Sequence, residues 1–481
     1  MTDFDVAVVG SGVAGLAAAL QASDAGASVL LIEGSDVIGG SSRLSSGVVM
    51  GAGTSYQRAA GISDAADDLF AFYMSTNHWK VEPPVVRALA DESGPMIEWL
   101  GELGVKFWDQ IYFSGDEPEA RGHVVIGEGQ GIVDALHSEV RKRANIEISM
   151  GRRIDRLVVS GGRVTGVAVG SGADSDELTA RAVVLATGGF GANDELLDRF
   201  LPEIREHSGE FFWYVGADTA QGDVFGIVEP VSAQILGHGR AQLNVRPDFV
   251  HVPDAYLPGW LVLVNGQGQR FFNEMSPYSV TQPIMLAQPQ PVYAVFDEQA
   301  KKAAQPKTSA ASKKVNIPGA VWEDWVEPSI DEMHALGKVL KAETVEELAT
   351  AMGVPPANLV GSLNRYNADV EAGADSLYLK EPSVMRPVAT GPFYAVEVRL
   401  CQTGLTSVGV RIGPDAAVLD TGTSPIPGLY AAGECTGGVL GDVYMGSGNS
   451  LCNCLSFGRI AGRSAAASAA AAASAEEGSA S

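Results

Sequence analysis

Residues 5–33 admit few folds. Asp5-Val6-Ala7-Val8-Val9 is a short apolar run of strand character. Gly10-Ser11-Gly12-Val13-Ala14-Gly15 follows, then an alanine-rich stretch, then Ser28-Val29-Leu30-Leu31-Ile32-Glu33-Gly34. The order is strand, Gly-x-Gly-x-x-Gly turn, helix, strand, and an acidic residue 18 positions after the third glycine. Each part has a physical task. Gly10 permits the tight turn, Gly12 lets the backbone approach a pyrophosphate, and Gly15 lets helix and strand pack closely. The helix N-terminus faces phosphates with its positive end, and Glu33 can bond a ribose hydroxyl. With 57 glycines in 481 residues, the glycine spacing alone could arise by chance. The strand before it, the helix after it and Glu33 together predict a dinucleotide site.

The rest of the chain sets the bounds. Its length suits two or three domains, and 46% hydrophobic residues predict a well-cored globular protein. A net charge of −25 argues against nucleic acid or an anionic membrane as partner. It leaves open an anionic small molecule, which a local cationic pocket can bind. The opening strand takes the place of a signal peptide, and no run of about 18 apolar residues marks a membrane span. A cytoplasmic protein is the expectation. Cys401, Cys435, Cys452 and Cys454 do not form a disulfide framework pattern, and Cys452-Asn453-Cys454 reads as helix packing. The seven histidines lack metal-ligand spacing, so no metal is expected.

Along the chain, Gly39-Gly40-Ser41-Ser42 forms a second glycine cluster. Residues 63–103 read as mostly helical and Ile132–Asn145 as a helix, with strands around 146–148, 156–159 and 164–169. Arg181–Ala186 is a near-continuous apolar strand ending in Thr187-Gly188-Gly189, which suits a parallel sheet covered on both faces. From about 239 to 395 proline is more frequent and strands are less continuous. Residues 261–273 read as a hairpin, and helices are expected near 329–353 and 355–372. Ile426–Glu434 then returns to a turn, a short strand and Gly433-Glu434. Asn449-Ser450-Leu451 opens a helix reaching about Arg463, followed by an Ala/Ser-rich tail that reads as a frayed helix end or disorder. The fold expected is α/β: a discontinuous Rossmann-type nucleotide domain (1–238 and 396–481) with an inserted α+β catalytic or capping domain (239–395).

As a set, Gly10-x-Gly12-x-x-Gly15, Glu33, Gly39-Gly40-Ser41-Ser42, Ala186-Thr187-Gly188-Gly189, Gly222-Asp223, Arg270-Phe271-Phe272-Asn273-Glu274 and Gly428–Glu434 resemble the FAD-binding fumarate reductase/succinate dehydrogenase flavoprotein superfamily. The resemblance spans residues 4 to about 463. It implies FAD, with adenosine on Glu33, the pyrophosphate on the first helix, the ribityl chain near Glu434, and the flavin over the helix start at Asn449. Covalently flavinylated members use a histidine. The region after Gly39-Gly40 has none here, so non-covalent FAD is expected. Fumarate reductases place an arginine acid shortly after the Asn-Glu pair, whereas this chain has Asn273-Glu274-Met275-Ser276-Pro277-Tyr278. That arrangement is similar to 3-ketosteroid Δ1-dehydrogenases, as is Tyr444-Met445-Gly446-Ser447-Gly448.

The chemistry implied is desaturation next to a ketone. Tyr278 as phenolate would take the α-proton, and its reference pKa of about 10 would have to fall. The Tyr444 hydroxyl and the Gly448 N–H would bind the carbonyl oxygen as it gains charge. FAD N5 would accept the β-hydride. Tyr112 is a candidate hydrogen-bond partner for Tyr278. Arg121, His123 and Arg399 are candidate substrate contacts. Tyr278 falls in the inserted domain and Tyr444 in the returning one, so a site between domains is expected. The substrate reading covers a substituted cyclohexanone, such as 4-oxocyclohexanecarboxylate, and a 3-ketosteroid. With no haem motif, no iron–sulfur cysteine set and no second convincing nucleotide fingerprint, the expected electron acceptor is dioxygen or a quinone rather than NAD(P)H. Two other readings stay open: a fumarate-type ene-reductase of an unsaturated carboxylate, and a non-catalytic flavin electron carrier, for which paired tyrosines would serve no purpose.

Overall fold

The computed structural model describes residues 2–170, 175–251, 257–305 and 323–480; the side chains of Tyr278 and residues 477–480 are outside this description. The chain forms two compact units. One comprises Met1–Pro202, Tyr214–Gln242 and Thr403–Ser481, and the other comprises Glu203–Trp213 and Leu243–Gln402.

The first unit is built on a sheet whose centre is parallel. Phe4–Val9 lies between Val29–Ile32 and Asp176–Leu185; Ile146–Ser149 continues one side and Pro425–Ala431 the other. The register places Ala431, Leu185, Val9, Ile32 and Ser149 in one row across the sheet. Each strand therefore ends level with its neighbours, and the next residues of each strand meet at the carboxyl edge. The strands have the apolar character needed for burial on both faces: Val6, Val8, Val29, Leu31, Ala182, Val183 and Leu429 are each 0% exposed. An antiparallel hairpin, Ile154–Ser160 with Arg163–Val169, extends from the Asp176–Leu185 strand.

Two helices cover one another on this sheet. Val13–Asp24 packs against Asn449–Ala480, and Gly458 and Gly462 let the helices approach so closely that a side chain there would strike the Ala14 and Ala18 carbonyls. The second helix continues through the Ala/Ser-rich tail instead of ending near Arg463. Alanine favours the helical state, and Ala465 and Ala469 are buried. A smaller antiparallel sheet, Val48–Met50, Gly122–Val125 and Phe107–Tyr112, completes the unit's functional part.

The second unit is antiparallel where its strands pair. Val262–Val264 pairs with Val292–Asp297, which pairs with Phe393–Thr406, and Leu340–Ala342 adds to that last strand. Val262, Val264, Val295, Leu348, Leu359, Leu363 and Tyr366 form its core. Two expectations change here. The hairpin expected over 261–273 is a single strand with one return bridge, Val264 to Arg270. Arg270 is instead drawn into an ion cluster with Glu274 and Asp375. The helix expected over 329–353 divides into Glu327–Ala335, the strand Leu340–Ala342 and Val345–Met352. Gly337 stops the first helix in a left-handed conformation (φ 76°). Thr344 and Glu347 then form a capping box that starts the next.

Candidate active site

The carboxyl edge of the parallel sheet opens into a cleft of about 880 Å³, counted out to its mouth. Gly10, Gly12, Val13, Ala14, Glu33, Gly34, Gly40, Ser41, Ser42, Ala186, Thr187, Gly188, Gly433 and Glu434 all line it. The row of strand ends explains most of the gathering: Gly10–Ala14, Glu33-Gly34, Ala186–Gly188 and Gly433-Glu434 come just after level strand ends, and Gly40–Ser42 sits in the short helix that follows Gly39. This is the crevice where open α/β sheets bind ligands. Gly15 and Gly39 stand behind the lining; Gly15 packs on Gly10, and Gly39 N–H donates to Ser11 Oγ at 3.3 Å. Asn449, Ser450 and Leu451 open the C-terminal helix outside the lining.

The cleft fits a dinucleotide. A side chain at Gly10 or Gly15 would strike protein backbone, but one at Gly12 would meet only Ser42 Oγ, at 3.6 Å. Gly12 is thus open on the side where a pyrophosphate would lie. Glu33 is held ready: one oxygen accepts from Ser11 N–H at 2.9 Å and Ser11 Oγ at 2.5 Å, the other from Ser35 N–H at 2.8 Å. Glu434 accepts from Thr406 N–H at 2.8 Å and its hydroxyl at 3.0 Å. Burial pushes the Glu434 carboxyl up to about 6, against those two donors.

Sequence reading missed Arg152, Arg153, Thr219, Ala220, Asp223, Ile227 and Cys454 as cleft residues. Arg153 pairs with Asp223 at 3.2 Å. A signal for Arg152 and Arg153 exists in retrospect. Once Ile146–Ser149 is paired beside Val29–Ile32, the residues after Ser149 must emerge beside Glu33, and Arg152 N–H does donate to the Glu33 carbonyl at 2.9 Å.

The chain belongs to the FAD binding domain family. That family matches residues 5–451, and the chain is an FAD-dependent oxidoreductase. NADH:fumarate oxidoreductase of Klebsiella pneumoniae (strain 342) is 30% identical over 472 residues, covering 96% of this chain and 48% of that protein. The chain thus spans about half the length of that relative. 4-Oxocyclohexanecarboxylate 2-dehydrogenase of Sinomonas cyclohexanicum is 27% identical over 563 residues, covering 96% of this chain and 93% of the relative. The 3-ketosteroid-Δ4-(5α)-dehydrogenase of Rhodococcus jostii RHA1, solved with 4-androstene-3,17-dione, superposes with a TM-score of 0.78 at 27% identity, covering 97% and 98% of the two chains. Among the described residues, no helix is long and apolar enough to cross a membrane.

The remaining site candidates fall into both units. In the first, the Tyr444–Gly448 loop is seated on the small antiparallel sheet. Gly446 bridges Gly115, Ser447 N–H donates to the Ser114 carbonyl at 2.8 Å, and Met50 N–H donates to the Gly448 carbonyl at 3.2 Å. The Tyr444 hydroxyl lies at the first turn of the C-terminal helix, 3.3 Å from both Ser450 N and Ser450 Oγ. An N–H at a helix start polarises the hydroxyl that it donates to.

The same sheet carries Tyr112, Arg121 and His123. Tyr112 is half-buried opposite Gly122, and burial raises its phenol above the usual range. Arg121 is 0% exposed and makes a two-pronged bond to Asp64, 2.8 Å from Nε and 2.7 Å from Nη2. His123 is also 0% exposed; its ring lies 2.9 Å from both Thr54 Oγ1 and the Arg121 carbonyl. Burial pushes it down to about 4, so it is neutral near pH 7.

In the second unit, Tyr278 begins the helix Tyr278–Leu286. The turn before it is anchored by buried charge. Arg270 bonds both oxygens of Glu274 at 2.8 and 2.9 Å and also Asp375 at 2.7 Å. Lys380 stands 3.1 Å from Glu274. Buried charges persist only when paired this fully, and the cluster fixes Glu274 four residues before Tyr278. Arg399, in the same unit, bonds Glu397 at 2.7 Å and stacks over Phe211 at 4.4 Å.

Proposed function

We propose that the chain is a flavin-dependent desaturase that introduces a C=C bond α,β to the carbonyl of a cyclic ketone. The observation that carries this reading is the Tyr444 hydroxyl, set against a first-turn N–H of a long helix in a loop locked by three backbone contacts. A fixed, polarised hydroxyl is suited to a carbonyl oxygen that gains negative charge. Tyr444 and the Gly448 N–H bind that oxygen. Tyr278 takes the α-proton, and the helix it begins supplies a positive end that favours the phenolate. Bound FAD, held without a covalent bond by the carboxyl-edge residues, supplies the acceptor for the β-hydride. Dioxygen or a quinone then removes the two electrons.

The substrate class is a cyclic ketone recognised through its carbonyl. The relative acting on 4-oxocyclohexanecarboxylate and the structural likeness to a 3-ketosteroid dehydrogenase support the same class. Incubation with a panel of cyclic ketones and an electron-accepting dye tests it. The product should be two hydrogens lighter than the ketone and conjugated. A panel without any such product would remove the reading.

A second reading has its own support. The relative named for fumarate is 30% identical, so an ene-reductase working in the opposite direction is the alternative. It requires a pre-reduced flavin and an unsaturated acid, and the same panel extended to fumarate separates the two.

A further inference from the structure

Helix Ala66–Thr76 ends in an unusual way. His78 and Trp79 both take left-handed backbone conformations (φ 51° and 61°), and neither is glycine. Such a pair is strained and persists only where surrounding contacts hold it. The residues on either side of this turn reach the loop that carries Tyr444. Tyr73 Oη donates to the Val439 carbonyl at 3.0 Å and accepts from Asn449 Nδ2 at 3.3 Å. Lys80 stands 3.4 Å from Asp442, which also pairs with Arg240. Between them lies Asn77, which is 0% exposed. Its Nδ2 donates to the Tyr73 carbonyl at 3.3 Å, which fixes the amide. Its Oδ1 accepts from Val443 N–H at 3.1 Å. Val443 immediately precedes Tyr444. The approach is so close that a side chain at Gly441 would strike Asn77 Oδ1.

We infer that Asn77 is a positioning residue for Tyr444: its amide oxygen fixes the Val443 peptide and so sets the Tyr444 hydroxyl over the first turn of the C-terminal helix. The inference rests on the desaturase reading. A buried amide that only stabilised the fold would have no reason to depend on the Tyr444 hydroxyl. A positioning amide must depend on it.

The test is a double-mutant cycle on flavin-containing protein, read as the rate of flavin bleaching by ketone. Asn77→Ser is too short to reach Val443 N–H. It should slow bleaching roughly 10- to 100-fold, the scale of a small misplacement, with FAD content unchanged. In a Tyr444→Phe background, Asn77→Ser should cost almost nothing further. Wild-type rate in Asn77→Ser, an equal loss in both backgrounds, or loss of FAD from Asn77→Ser would each overturn the inference and leave the desaturase reading standing. Wild-type protein that no ketone bleaches would instead remove the reading, and the inference with it.

Discussion

Ser450 N–H donates to the Tyr444 hydroxyl at 3.3 Å, across the first turn of the C-terminal helix. Ser450 Oγ lies at the same distance and accepts the tyrosine's proton. On the proposed reading, the proton turns to the ketone oxygen while the N–H contact stays. Tyr444→Phe should therefore lower turnover of the ketone roughly 10²–10³-fold, the usual scale for an oxyanion donor, with FAD still bound. Steady-state kinetics on the flavin-containing variant check this. A loss of less than about threefold would take Tyr444 out of the reaction.

Tyr278→Phe keeps the ring and removes the hydroxyl proposed as the base. Turnover should fall by about 10²-fold or more. Solvent deuterium exchange isolates the step. With a ketone that cannot lose hydride, wild type should take up deuterium next to the carbonyl and Tyr278→Phe should not. Exchange at the wild-type rate in that variant would assign the base to another group.

Much of the cofactor cleft is legible in the sequence because its signals are local. Gly10, Gly12, Glu33 and Gly433-Glu434 each follow an apolar strand within a few residues, and parallel pairing then brings the strand ends level. Residues placed by distant partners are less legible. Arg121 reads as a candidate substrate contact, but its partner, Asp64, lies 57 residues earlier. The 261–273 segment reads as a hairpin because nothing nearby announces that Asp375, 105 residues on, will bind Arg270. Asn77 carries no motif at all; its meaning comes from Val443, 366 residues later.

Glu33 is held by Ser11 and Ser35 at the edge of the cleft. Glu33→Ala should weaken FAD binding by roughly 10- to 150-fold, equivalent to losing a charge-assisted bond of about 1.5–3 kcal/mol. Titrating flavin-free protein with FAD would show it. Unchanged affinity would mean that the carboxylate does not bear on the ribose.

His123 gives the protein a pH dependence on the acid side. Its pKa falls from 6.5 to about 4 on folding, because burial disfavours the cation. The unfolded chain thus binds more protons between these values. The neutral ring's contribution is fully present above pH 6.5 and is lost as pH falls towards 4, by up to about 3 kcal/mol. Melting temperature between pH 7 and 4.5 should fall less steeply in His123→Gln than in wild type. Parallel curves would show that His123 does not titrate on unfolding.

On the proposed reading, ketone alone delivers two electrons to the flavin. Anaerobic mixing of oxidised, FAD-containing protein with 4-oxocyclohexanecarboxylate and 4-androstene-3,17-dione, while the yellow absorbance is followed, tests this most directly. At least one ketone should bleach the flavin in the absence of any other reductant, and the corresponding ketone with two hydrogens fewer should appear in equal amount. A flavin that stays yellow with both ketones, yet is reoxidised by fumarate once chemically reduced, would contradict it.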